Sequence, residues 1–515
     1  MTRSAPGALP VLDALPAPDG ARHSLLVERV LTAAALRPLA PAVRGPRAVL
    51  GYRDLSDLVH AWTARLNGSG LPAGTVAALE VTDPTYLAPA HLAVRAAGLV
   101  PMLLDPHLPP ARRDALLETG RPGLVIGVSE DLACRPGVPD PRVLPPDAGY
   151  LGFTSGTQGA PKGIVSNEAG VSHFVSWEAA ALGLRPGTPV ALISPPSFEV
   201  VFRELFLTLT TGAELVVAPP AVRADPSAVL PWLAEQDVEV LHAVPSLAAR
   251  WLAAAPGRQL NRLRWTLFAG EPLHAAQVAA WRESAPHTEV VNLYGPSETT
   301  LAKFWYQVPA EPTAGIQPVG QPLPGTRLRR LSPASNSPQE QAPVGDEVFR
   351  IGIATPHGSF GYLEGTGTPT DHASLRRQAG ETEFDSQDLG RLDPDGNLVV
   401  TGRRDSRVKR RGVFVDLGLI EALATREPSV RLACCVQAGP ERGGAVVLVV
   451  ESADPGTAAR LTRELRRRLG PEAPEDVVAV ASLPLSPNGK IDRRTITDRI
   501  TTGTLRATGQ PREGC

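Results

Sequence analysis

Lysine is nearly absent from this 515-residue chain. It stands at four positions, Lys162, Lys303, Lys409 and Lys490, so 47 of the 51 basic residues (51 minus 4) are arginine. Where any cation would serve, arginine has taken the place. A retained lysine is therefore a candidate for work that needs a compact ammonium rather than a planar fork. Cysteine is scarce too: Cys134, Cys434, Cys435 and Cys515 have neither metal-ligand spacing nor a disulfide pattern, which points to a reducing, cytoplasmic setting. Cys515 closes the chain without a prenylation box. No apolar run approaches the ~18 residues of a membrane span. Met1-Thr2-Arg3-Ser4 is not followed by an apolar core, so no secretory leader is expected. Net charge is also lacking. At -2 it gives no general pull toward nucleic acid or membrane.

What is present is a soluble globular composition, 43% hydrophobic and 20% charged, in a chain long enough for two or more domains. One stretch organises it: Thr154-Ser155-Gly156-Thr157-Gln158-Gly159-Ala160-Pro161-Lys162-Gly163. Successive Gly, Ser and Thr amides can form a concave nest for phosphate oxygens, and Lys162 adds a mobile charge. The spacing differs from the common nucleotide loop, which sets Gly-Lys directly before Ser or Thr. The plain alternative is a surface loop.

Apolar strands and helical segments alternate along the chain. Strands are expected at Val76–Val81, Val100–Leu104, Val190–Ile193, Glu214–Val217, Val238–Ala243, Thr266–Phe268 and Glu289–Leu293. Helices are expected at Tyr52–Leu66, Val201–Leu209, Ser227–Glu235, Ser246–Ala254 and Ala275–Arg282. The fold class is α/β. A large N-terminal domain, residues 1–402, carries mostly parallel sheets flanked by helices plus a small β region. A small, mobile α+β C-terminal domain follows over 403–500, then a tail. Ser332–Pro343 reads as an exposed loop. Ligands of parallel sheets bind beyond the carboxyl ends of the strands, which directs attention to Ser194–Glu199, His242–Ser246, Ala269–Pro272 and Asn292–Thr300.

Within those loops Glu298 can serve as one of the few protein oxygens that a phosphate-bound Mg²⁺ needs. Tyr294 offers a ring to a base. Phe384–Arg391 reads as a loop in which Asp388 could accept bonds from ribose hydroxyls. For each, a polar turn is the bland reading. The basic run Arg403–Arg411 is broken by Asp405, which favours a joint beside an anionic ligand over a nucleic-acid patch.

With these pieces assembled, the chain resembles the adenylate-forming superfamily, and within it the free-standing adenylation domains of non-ribosomal peptide synthesis. The motifs occur in order at Thr154–Gly163, Asn292–Thr300, Phe384–Arg391, Gly402–Glu421 and Pro484–Arg494. The resemblance implies a site between a large and a small domain, and two half-reactions in natural-product biosynthesis. A carboxylate and MgATP give an acyl adenylate and pyrophosphate, and a carrier protein's pantetheine thiol then takes the acyl group. It also implies roles. Lys490 would touch the substrate carboxylate and the adenylate. Thr154, Ser155, Gly156, Thr157, Gly159 and Lys162 would hold pyrophosphate, and Glu298 would bind Mg²⁺. Gly270, Glu271, Pro272, Asn292, Tyr294 and Gly295 would frame adenine, and Asp388 and Arg403 the ribose. Asp405 would be the hinge that withdraws Lys490 and advances the segment from Lys409 to Gly412. Phe198 would gate the thiol path.

Glu199 stands where amino-acid-activating relatives carry Asp for the substrate ammonium. It is longer by one methylene, which suits a differently placed amine, as in a β-amino acid or a small α-amino acid. Arg203, four residues on, could pair with Glu199 or face a second substrate carboxylate. The other pocket positions by resemblance are Val200, His242, Leu267, Ala269, Leu293, Leu301 and Ala302. Gln387 replaces a usual Gly, Phe414 a usual Arg and Leu419 a usual Glu. Twenty-five residues follow Lys490 (515 minus 490), so a carrier protein acting in trans is expected, with no nucleic acid or membrane partner. The alternatives are an acyl- or aryl-CoA ligase of the same superfamily, which a carboxylate at 199 disfavours, and a non-catalytic nucleotide-binding relative.

Overall fold

The computed structural model describes residues 24–154, 162–196, 198–333, 347–363, 369, 372–410, 413–439, 444–486 and 489–505. The loop expected at Ser332–Pro343 and the tail after 505 lie almost wholly outside them. The chain forms two compact units. The first comprises Met1–Leu192, Glu199–Val217 and Ser359–Thr370; the second comprises Ile193–Phe198, Ala218–Gly358 and Asp371–Cys515. The joint expected at 402–406 falls inside the second.

In the first unit Pro189–Leu192, Glu214–Val217 and Pro41–Arg44 run parallel side by side, and Val49–Gly51 closes the edge antiparallel. A second sheet sets Val76–Val81 parallel to both Val100–Leu104 and Leu124–Val128, with Leu132–Pro136 antiparallel beyond. Helix Tyr52–Asn67 buries Tyr52, Leu55, Val59, Trp62 and Leu66, a helical stripe that explains its formation. Helix Val200–Leu209 is different, because every residue after Val200 is buried. Its Arg203, Glu204 and Thr208 must find partners inside the protein. Thr208 does so by donating to the Glu204 carbonyl at 2.5 Å.

His91 is also enclosed here. It lies on helix Leu87–Ala96, 2% exposed, with ring centroids 5.4 and 5.1 Å from Phe202 and Phe206. Neither ring nitrogen has a hydrogen-bond partner among the described residues. Burial, helped by the Arg95 charge, pulls its pKa down to about 3.

In the second unit Val240–Ala243, Trp265–Ala269 and Glu289–Tyr294 are parallel neighbours, extended antiparallel by Phe304–Val308 and Gln321–Pro322. Helix Pro226–Glu235 precedes these strands in the chain, and helices Pro245–Ala254 and Ala275–Ser284 lie between them. The small β region is antiparallel and contains Arg327–Leu331, Phe349–Thr355, Glu381–Leu392, Leu375–Gln378 and Leu398–Arg403. Farther along, Leu432–Gln437, Val446–Glu451 and Asp476–Val480 form a three-stranded sheet with helices Leu417–Ala424, Thr457–Leu469 and Arg493–Thr501. Among the described residues no helix is long and apolar enough to cross a membrane.

The expected loop at Phe384–Arg391 is corrected to a strand. Its polar residues are satisfied by the neighbouring strand. Asp385 accepts from Arg350 Nε at 3.0 Å, both side chains being buried, and Ser386 donates to the Ile351 carbonyl at 2.9 Å. A vestige of a turn persists. The register shifts between Arg350 and Gly352, and opposite that step Gln387 takes φ 61°.

Two outcomes are expected. A base held below its ordinary value of about 6.5 leaves the unfolded chain binding more protons. His91 therefore contributes stability that is intact above about pH 6.5 and lost as pH falls toward about 3, at roughly 1.4 kcal/mol per pH unit. Urea unfolding at pH 7 and pH 4.5 should show a smaller drop for His91→Leu than for the wild type. Left-handed backbone costs a non-glycine residue about 1–2 kcal/mol, against about 0.5–1 kcal/mol of extra chain entropy for glycine. Gln387→Gly should therefore raise the unfolding free energy by up to about 1 kcal/mol.

Candidate active site

In the first unit the strands Ala148–Thr154 and Lys162–Asn167 pair antiparallel, with Thr154 directly opposite Lys162. These two strands flank the glycine-rich stretch in the chain. Ser155, Gly156, Thr157 and Gly159 lie outside the described residues, as does the side chain of Thr154. Lys162 is exposed, its Nζ 5.6 Å from the centroid of the Tyr362 ring.

Glu199 directly precedes the helix that begins at Val200, without a capping bond from its side chain. Its Oε1 accepts a hydrogen bond from the Tyr150 hydroxyl. Tyr150 is buried against Phe202, with ring centroids 4.0 Å apart. Burial first, then the Glu199 charge, pushes the Tyr150 phenol far above its ordinary value, so it stays a donor. Arg203, one helical turn on, packs its guanidinium 5.0 Å from the Phe174 ring centroid. Burial pulls its pKa down, and Glu178, Glu199, Tyr150 and Glu204 act against that. Glu178 and Glu204 have no exposed surface. Tyr150 went unremarked in the sequence; the signal was a lone tyrosine four residues before Thr154 in the strand that leads into the glycine-rich loop.

The second unit brings together more of the expected residues. His242 and Leu267 are direct partners on adjacent parallel strands, and Ala269 partners Leu293. His242, Leu267, Leu293, Leu301 and Ala302 are buried. Asn292 donates to the Pro318 carbonyl at 2.8 Å. Tyr294 donates to Asp388 Oδ2 at 2.6 Å, and Arg403, the cross-strand partner of Asp388, stands 3.5 Å from Oδ1. Burial, then the Asp388 charge, raises the Tyr294 phenol far above its ordinary value. Gly295 begins a loop whose ends meet, since the Lys303 amide donates to the Tyr294 carbonyl at 2.8 Å. Thr300 and Leu301 in that loop have φ 59° and 61°. Lys303, 0% exposed, donates from Nζ to the carbonyls of Thr300 and Ala302. A compact ammonium with several donors suits that task, which explains one of the four retained lysines.

Glu298 lies on the single turn Ser297–Thr299 and is partly exposed. Among the described residues no group of three or more His, Cys, Asp or Glu could hold a metal. A partly exposed carboxylate fits a Mg²⁺ ion that arrives with phosphate and water ligands. Asp405 lies in the turn Arg404–Ser406, and its side chain is outside the described part.

Lys490 accepts at its carbonyl a hydrogen bond from the Ser486 amide at 2.7 Å. Its Nζ stands 5.9 Å from the centroid of the Phe198 ring. Gly270 has φ 92°, and a β-carbon there would lie 3.0 Å from Lys490 Cε. The positive φ favours glycine there, and a side chain would also require Lys490 Cε to give way. Pro272 is exposed. Glu271 accepts from the Ile491 amide at 3.0 Å and the Ser246 amide at 3.2 Å. Burial raises its carboxyl above the usual range, opposed by Ser246, Ile491 and Lys490.

Residues 128–362 match the AMP-binding enzyme family. Enterobactin synthase component F of Escherichia coli O157:H7 is 29% identical over 517 residues, covering 93% of this chain and 39% of its own length. Phosphinothricin tripeptide synthetase PhsB of Streptomyces viridochromogenes is 30% identical over 499 residues, covering 91% and 41%. The chain thus spans about two fifths of the length of these curated relatives. The crystal structure of IdnL7 superposes with a TM-score of 0.76 at 24% identity, covering 93% of this chain and 99% of that one, a likeness of fold. Residues 128–362 belong to the AMP-binding enzyme family, and the similarity to these relatives and the shared fold agree with that match.

Proposed function

We propose that the protein activates an amino acid with ATP and passes the aminoacyl group to the pantetheine thiol of a carrier protein. Enzymes of the AMP-binding family use ATP. The observation that carries the amino-acid assignment is the Glu199 carboxylate itself, placed at the start of helix Val200–Leu209 with one oxygen held by the Tyr150 hydroxyl. A carboxylate there suits a substrate ammonium and is costly to bury against an apolar acid. The Tyr150 bond ties one oxygen of Glu199 to the strand Ala148–Thr154, while its backbone leads into the helix Val200–Leu209.

In the first half-reaction a substrate carboxylate oxygen attacks the α-phosphorus. A new P–O bond forms, the bond to the bridging oxygen breaks, and pyrophosphate leaves with that electron pair. Two anions must approach, so neutralisation is the main task of the protein. Lys490 supplies a charge at the attacking and α-phosphate oxygens, beside the Phe198 ring. The stretch from Thr154 to Lys162 receives the departing pyrophosphate. Tyr294, Asp388 and Arg403, already joined by short contacts, hold the nucleoside. Glu298 would hold Mg²⁺, which when bound neutralises phosphate charge. In the second half-reaction a thiolate attacks the acyl carbon and AMP leaves. The names of the two curated relatives, an enterobactin synthase component and a tripeptide synthetase, support a carrier-bound product.

ATP–pyrophosphate exchange across α-amino, β-amino, aryl and fatty acids tests this reading. Exchange is expected with an amino acid. Lys490→Ala should lower it by about 10²–10³, the scale for one lost charge-stabilising donor. Glu199→Gln should raise KM for the amino acid by about tenfold or more, leaving KM for ATP unchanged, since a hydrogen bond to a charged group contributes about 1.5–3 kcal/mol. Exchange only with acids lacking an amine would assign the protein to the CoA-ligase branch. Failure with every acid, despite ATP binding, would favour a non-catalytic relative.

A further inference from the structure

The loop that carries Lys490 is fastened to the second unit's parallel sheet by a small set of bonds that converge on one side chain. Glu271 follows Gly270 in the loop that leaves the strand Trp265–Ala269. Its Oε1 accepts from the amide of Ile491, the residue directly after Lys490, at 3.0 Å. Its Oε2 accepts from the amide of Ser246 at 3.2 Å. Ser246 lies in the first turn of helix Pro245–Ala254, where backbone N–H groups have no intrahelical acceptor and negative charge is favoured. The Ser246 hydroxyl in turn donates to the Gly489 carbonyl at 2.6 Å, on the other side of Lys490. Gly489 has φ 76°, and a β-carbon there would stand 2.3 Å from Leu247 Cδ1, so Gly489 lies directly against the helix. Arg250, one turn along, donates to the Leu483 carbonyl at 2.7 Å.

We propose that Glu271 is a positioning residue for Lys490: it clamps the backbone that follows the lysine to the N-terminus of helix Pro245–Ala254, and so holds the ammonium where adenylate formation needs it. This goes beyond an adenine-framing role for the loop, and it rests on the reading of Lys490 given above. Two N–H donors meet two carboxylate oxygens, a match that glutamine cannot reproduce. Its amide offers one acceptor and one NH₂, and the NH₂ would face an N–H. The clamp is made of backbone bonds on the loop's side, so the residue after Lys490 is held whatever its side chain. Because the clamp holds the loop through bonds that can break, it also sets how readily Lys490 leaves once the adenylate is made.

The test measures the two half-reactions separately in folded, full-length protein. Glu271→Gln should slow adenylate formation by about a hundredfold, the cost of misplacing a catalytic group by an ångström or so. Thiol transfer from presynthesised aminoacyl adenylate, a step in which Lys490 is withdrawn, should be slowed far less than adenylate formation. Glu271→Asp, which keeps both acceptors on a shorter arm, should recover part of the loss. In a Lys490→Ala background Glu271→Gln should cost nothing further, because both changes remove the same contribution. Hydrogen exchange gives a readout without catalysis: the Ile491 and Ser246 amides should exchange faster in Glu271→Gln while the strand Glu289–Tyr294 keeps its protection. Wild-type adenylation with unchanged protection would overturn the clamp. So would equal loss of both half-reactions, or losses that add in the double variant. If the wild type forms no adenylate with any acid, the functional reading fails by itself, and the exchange of Ile491 and Ser246 still decides the clamp.

Discussion

Parallel pairing forces loops to leave a sheet from one edge. In the second unit, three neighbouring strands, Val240–Ala243, Trp265–Ala269 and Glu289–Tyr294, keep a continuous register. Their exits are therefore neighbours too. The first opens into Ser246, the second into Gly270 and Glu271, the third into Gly295 and the turn with Glu298. Groups far apart in the chain become a set because strand register leaves them no other place. The antiparallel strand Phe304–Val308 then returns beside Glu289–Tyr294 and closes the third exit into a tight loop.

Against that frame the scarce lysines divide by task. Lys303 is structural: its buried ammonium gathers carbonyls in a loop that two left-handed residues have bent. Lys490 projects past Gly270, where the missing side chain leaves it room. Lys162 stands at the foot of the glycine-rich connection, exposed over a tyrosine ring. The shared feature is a need for a point charge on a thin stem. Arginine, with its broad planar head, carries the ion pairs between strands, as at Arg350 and Asp385.

Much of this was legible in the sequence because it is local. Helix Tyr52–Asn67 follows from its apolar stripe, and the parallel strands from short apolar runs between helices. What was not legible depends on partners distant in the chain. Phe384–Arg391 looks like a polar turn until Arg350 neutralises Asp385 from 35 residues away. Glu199 looks like a lone acid until Tyr150 reaches it across 49 residues, and Glu271 looks like a loop residue until Ile491 arrives from 220 residues on. Motif order pointed to Lys490, Tyr294 and Asp388, but no local pattern announces which backbone amide a carboxylate will hold.

The near-absence of lysine has one further consequence, tied to the buried Lys303. An acyl adenylate is a mixed anhydride and acylates any free amine it meets. Guanidinium groups stay protonated and do not compete as nucleophiles. A chain with 47 arginines and four lysines, one of them without exposed surface, offers such a reagent few places to attach itself. Under the proposed chemistry, the protein is poorly equipped to be its own substrate, and stray self-acylation would be confined to a handful of sites, each of which can be counted by mass.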